Sequence, residues 1–141
     1  MKKFLFAAAI LALINIQAFS QGKIISKTEA DNLFGQVLIT KQIPTENLKT
    51  FTNQSFNVMM FNIINNDLYI LDNNRNVLTP IGVHVSNAEV FSVYSLLVIY
   101  QLISDGGSSV TFVEKRRNVL TITNGNYTLE FAILCPPICP N

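Results

Sequence analysis

Charge is scarce in this chain, and its scarcity closes off several functional classes. Only 13% of the 141 residues are Asp, Glu, Lys or Arg, against the ~25% usual for soluble domains. Asparagine, serine and threonine must therefore carry much of the surface. The ten basic and nine acidic residues nearly cancel, which leaves no electrostatic footprint for nucleic acid. Histidine occurs once, at His84, and cysteine twice, at Cys135 and Cys139, short of the four suitably spaced ligands that a zinc site needs. The chain also lacks a glycine-rich phosphate loop, an H-E-x-x-H helix and a G-x-S-x-G elbow. Asp72-Asn73-Asn74 has neither the spacing nor the terminal glutamate of a calcium loop. No cofactor and no metal is expected from these patterns.

What is present begins with an export signal. Lys2 and Lys3 precede an apolar run from Phe4 to Ile14, and Ala18 and Ser20 occupy the minus-three and minus-one positions of a cleavage site before Gln21. The run is about half the ~20 residues needed to cross a hydrocarbon core, so residues 1–20 read as a signal peptide and residues 21–141 as a single exported domain. The leader resembles those of Gram-negative bacterial exported proteins, which places the product in the periplasm or outside the cell. Without Lys2 and Lys3 the chain carries eight basic residues against nine acidic ones, a formal charge of −1.

Along the body, Ser26 and Glu29 have the spacing of a capping box and Gly35 that of a helix stop, which predicts a two-turn helix. Val37 to Ile43 reads as a strand stopped by Pro44, and Thr45 to Thr52 as a second short helix with Leu48 and Phe51 inward. Phe56 to Ile64 is apolar on both alternating faces, as in a strand buried on both sides. Asn65-Asn66 and then Asp72-Asn73-Asn74 supply turns to strands Leu68–Leu71 and Asn76–Thr79, making a three-stranded meander. Ser86 and Glu89 form a second capping-box pattern, and Phe91, Tyr94, Leu97, Val98 and Leu102 follow helical spacing up to Gly106-Gly107. One long buried helix over Ala88 to Ser104 is predicted. Its apolar stretch Val90 to Ile103 is too short to span a bilayer, so no transmembrane segment is expected in the mature chain.

A second meander follows: Val110–Val113, Val119–Thr123 and Tyr127–Leu134, with Asn124-Gly125 as a type I′ hairpin signal. In its last strand Tyr127, Leu129, Phe131 and Ile133 form the packed face and Thr128 and Glu130 the wet one. Arg75-Asn76-Val77-Leu78-Thr79 recurs as Arg117-Asn118-Val119-Leu120-Thr121, which either records a duplication or repeats a common turn-to-strand pattern. The expected fold is α+β: an antiparallel sheet from two three-stranded meanders, the long helix across one face, and short N-terminal helices at an edge. A partly closed barrel around that helix is the alternative, differing in whether the last strand pairs with the first.

Three features could carry chemistry. Cys135 and Cys139 flank Pro136-Pro137-Ile138 and should form a disulfide in an oxidising compartment; redox exchange, copper capture by two thiolates or pairing with another protein are the sharper options. His84 would act as a general base only if folding brought it to a nucleophile or to a carboxylate such as Asp72, Glu89 or Asp105. Lys115-Arg116-Arg117 is the one charge run. It is either a solvated hairpin bend or a contact for an anionic partner such as lipid head groups. The expectation is a non-catalytic exported module that binds a protein or envelope component. The alternatives are thiol or metal chemistry at Cys135 and Cys139, or a small hydrolase using His84.

Overall fold

The structure, a computed structural model, describes residues 22–136 and 139. The expected leader, residues 1–20, lies outside them. In chain order the elements are β1 (Lys23–Ser26), α1 (Lys27–Phe34), β2 (Ile39–Pro44), α2 (Thr45–Thr52), β3 (Val58–Ile64), β4 (Asp67–Leu71), β5 (Val77–Thr79), β6 (Phe91–Ser95), α3 (Leu96–Gly106), β7 (Val110–Lys115), β8 (Leu120–Asn124), β9 (Tyr127–Glu130) and β10 (Ile133–Cys135). The class is α+β. The expected single sheet is instead two five-stranded antiparallel sheets, ordered β1-β9-β8-β7-β2 and β10-β6-β3-β4-β5. Each predicted meander forms three consecutive strands of one sheet, and strands from elsewhere in the chain extend both.

Local signals set several boundaries. The Ser26 hydroxyl accepts the Glu29 amide at 3.1 Å and α1 ends at Gly35, whose φ of 76° suits a residue without a Cβ. Asn65 and Asn66, with φ of 50° and 69°, form the two-residue turn that pairs Ile64 with Asp67. At the next turn Asp72 accepts the amides of Asn74 and Asn76 at 2.8 and 2.9 Å, and the left-handed residue is Arg75 (φ 65°) rather than Asn73 or Asn74. The β8–β9 turn is Gly125-Asn126, since Asn124 pairs with Tyr127. Positive φ falls on Gly125 alone, the pattern of a type II′ turn rather than the expected I′.

The long helix is the main correction. Phe91–Ser95 is a strand, paired with β3 and β10, and the helix begins only at Leu96 with the Ser95 hydroxyl accepting the Val98 amide at 3.3 Å. Ser86 and Glu89 close a turn instead of capping a helix, through a Glu89 N–H to Ser86 carbonyl bond of 3.0 Å. The cause is that the second sheet is buried on both faces. Tyr94 joins Met59, Phe61 and Ile70 in the core shared with Val113, Ile122 and Leu129 of the first sheet, while Phe91 and Val93 join Val58, Met60, Leu71 and Cys135 on the other side. A strand apolar on both sides carries no alternation to separate it from a buried helix.

The last strand also departs from expectation. It breaks at Phe131, which has φ of 59°, and the chain passes from the first sheet (β9) to the second (β10). β9 pairs with β1, a strand that the sequence pattern did not indicate, and the two sheets stay separate rather than closing into a barrel. The face expected to be wet is covered: Thr128 and Glu130 are buried, with Ile25 on the same side, whereas Phe131 is 59% exposed. Helix α1, packed against β1 and β9, supplies the cover.

The repeated pentapeptide enters β5 in one copy and β8 in the other. The hairpin before β5 starts from a two-residue turn, whereas β7 follows helix α3, so the similarity is confined to the turn and the strand entered.

Candidate functional site

The basic run does not form a wholly solvated bend. Lys115 ends β7, and the turn to β8 is closed by the Arg116 N–H to the Val119 carbonyl at 2.9 Å. Arg116 is 1% exposed, the largest fully buried side chain among the described residues. Its guanidinium donates to Asp31 Oδ1 at 2.7 Å, the Gly35 carbonyl at 2.5 Å, Glu114 Oε2 at 3.3 Å and Thr121 Oγ1 at 3.3 Å. Glu114 also accepts from Thr123, which shares a hydrogen bond with Thr128. A buried guanidinium needs such a set of acceptors, because its desolvation otherwise outweighs the attraction of one partner. Arg116 thus ties the end of α1 to the first sheet, while Lys115 and Arg117 stay exposed.

That tie shapes a cleft. Leu33, Phe34, Gly35, Gln36, Leu38, Arg117, Asn118 and Val119 line a cavity of about 550 Å³. A second, of about 200 Å³, shares Phe34, Asn118 and Val119 and continues past Leu120, Glu130, Phe131, Ala132, Leu134 and Ser92. A third, of about 250 Å³, extends to Lys115, Val90 and Asn62. The cleft therefore runs between the β7–β8 turn, the end of α1 and the β6–β10 edge of the second sheet. Leu33 (58%), Leu38 (68%), Phe131 and Leu134 (53%) are exposed around it.

Phe131 is held by an edge-on contact with Phe34, ring centroids 6.1 Å apart, and by the Lys23 ammonium 5.9 Å from its ring. A left-handed backbone at a bulky residue is costly and concentrates at functional positions.

Glu130 precedes it, 1% exposed, with both carboxyl oxygens lacking a hydrogen-bond partner. Burial raises its pKa to about 7; the Lys23 charge opposes the shift and Glu29 adds to it. Tyr94 is also raised, chiefly by burial and then by Glu130, and its hydroxyl donates to the Leu120 carbonyl at 2.6 Å.

The other sequence-predicted residues lie away from the cleft. His84 is exposed in the segment between β5 and β6, lining a small cavity of about 140 Å³ with Tyr69 and Glu89. Asp72 is engaged in its own turn, and Glu89 accepts weakly from Asn62 at 3.4 Å. Cys135 and Cys139 form a disulfide, with Cα atoms 4.7 Å apart. Cys135 is fully buried, its sulfur and carbonyl each 3.4 Å from Arg75. Among the described residues no group of three or more His, Cys, Asp or Glu is placed to hold a metal ion.

Sequence reasoning singled out Lys115 and Arg117 but missed Leu33, Leu38, Glu130, Phe131 and Leu134. A glutamate on the polar side of a strand offers no sign of burial until its cover is known. No protein-family model, curated protein or solved structure matches the chain.

Proposed function

We propose that this chain is a non-catalytic exported module that binds a protein or envelope component in the cleft beside the β7–β8 turn. The observation that carries this reading is the set of four exposed large apolar side chains, Leu33, Leu38, Phe131 and Leu134, around neighbouring cavities that share Phe34, Asn118 and Val119. Export is supported by the disulfide, which oxidising compartments favour. No helix among the described residues is long and apolar enough to cross a membrane. The leader pattern of residues 1–20 supports the periplasm or the extracellular space. As a test, amide spectra of the isotope-labelled chain are followed while fractions of envelope extract are added. Shifts clustered at Leu33, Leu38, Val119 and Phe131 are expected. Turnover in a substrate screen, abolished by His84→Ala, would overturn the reading in favour of the hydrolase.

For Cys135 and Cys139, burial of Cys135 supports a tether for the C-terminal tail over thiol exchange, because an attacking thiolate needs access and a lowered pKa. A reduction potential below about −300 mV is expected of a tether, whereas a value near those of thiol oxidants would restore the exchange reading.

A further inference from the structure

Building on the cleft reading, we propose that the occupant is a monomeric, anionic, single-chain amphiphile, with its hydrocarbon against Leu33, Leu38, Phe131 and Leu134 and its headgroup between Lys115 and Arg117. Three observations converge on that chemistry. Lys115 and Arg117 are exposed, both line the third cavity and Arg117 also the first, and neither forms an ion pair among the described residues. Unlike Arg116, they retain their charge for a ligand. Among the residues lining these three cavities the one acid is Glu130, and its carboxyl oxygens are sealed from solvent. The rim therefore complements an anion and offers no exposed carboxylate to a cationic peptide.

The remaining wall is apolar. The largest cavity, about 550 Å³, falls within the range of ordinary small-molecule sites. A concave site with two free cations suits one headgroup; attraction to a bilayer surface takes a cluster of about four to eight basic residues.

The experiment measures affinities of the mature chain for decanoate, dodecanoate, decanol and decyltrimethylammonium, each below its micellar concentration, by calorimetry with amide spectra to locate the site. Decanoate should bind more tightly than decanol, and decyltrimethylammonium most weakly. Affinity should rise roughly two- to fourfold per added methylene until the cleft is filled. The double variant Lys115→Gln/Arg117→Gln, checked for an unchanged melting curve, should lose about tenfold affinity for decanoate and none for decanol. Leu38→Asp should weaken both.

Equal binding of decanoate and decanol, unaffected by the double variant, would overturn the anion assignment while leaving the cleft reading standing. Binding to vesicles of anionic lipid without binding of the monomers would also overturn it. If none of the amphiphiles shifts the cleft amides and envelope fractions do not either, both readings fall.

Discussion

Replacing Glu130 by glutamine should remove a pH dependence of stability between about pH 4.5 and pH 7. In the folded chain burial raises the Glu130 pKa from 4.5 to about 7. The folded state therefore binds the proton more tightly than the unfolded chain does, and between those values stability falls as pH rises. Below about pH 4.5 both states are protonated and no penalty exists. Above about pH 7 both are ionised, and the folded state carries the full cost of a carboxylate without a hydrogen-bond partner. The shift corresponds to at most about 3 kcal/mol, and to about 1–2 kcal/mol once screening by the surroundings is allowed for. Glutamine removes the titration but introduces an amide whose own unmet hydrogen bonds cost about 1–3 kcal/mol. That cost is the same at every pH, so it cancels when the variant's difference from wild type at pH 8 is compared with that at pH 5. Urea unfolding across this range should show the variant gaining about 1–3 kcal/mol on wild type from acid to alkaline conditions. Lys23 of β1 and Glu29 of α1 act on this carboxyl; both are retained in the variant. Two curves that stay parallel from pH 5 to pH 8 would refute the assignment of Glu130 as a desolvated, partnerless acid.

Arg116→Met should destabilise the chain by about 3–5 kcal/mol in urea, because Glu114 would be left buried with Thr123 alone while Asp31 and the Gly35 carbonyl lose their donor. Adding Glu114→Gln should recover part of the loss, and a cost below about 1 kcal/mol for the single variant would contradict the tie. Tyr94→Phe deletes the 2.6 Å bond to the Leu120 carbonyl and should cost about 1–2 kcal/mol by the same measurement. Cys139→Ser opens a short loop and should cost about 2 kcal/mol or less, seen as a lowered melting temperature that reductant lowers no further.

The parts of the fold legible in the sequence were those determined within a few residues. Ser26 with Gly35 delimits α1, Asn65-Asn66 makes a two-residue hairpin, and each meander pairs neighbouring strands. The strand expected at Val37 to Ile43 is present as β2 although its partner β7 is distant, but other elements that depend on distant partners were misread. Phe91 to Ser95 reads equally well as the start of a helix until β3 and β10 pair with its edges and the two apolar clusters on either side of the sheet bury its faces. Arg116 looks like one of three solvated cations until Asp31, some eighty-five positions earlier, is brought beneath it. Thr128 and Glu130 look wet until α1 covers them.

The candidate site belongs to this non-local part. Leu33 and Leu38 flank the end of α1, Arg117 sits beside the buried Arg116 in the β7–β8 turn, and Phe131 and Leu134 straddle the point where the chain leaves one sheet for the other. A single continuous last strand, as the alternation of Tyr127, Leu129, Phe131 and Ile133 suggests, would have placed Phe131 on the same side as Leu129, facing the core. The left-handed backbone at Phe131 turns the ring out against Phe34 instead and lets Leu134 enter the second sheet beside Ser92. The break that defeats the period-two pattern is therefore the same feature that opens the cleft, and the physical origin of the site is the division of one apolar strand between two sheets.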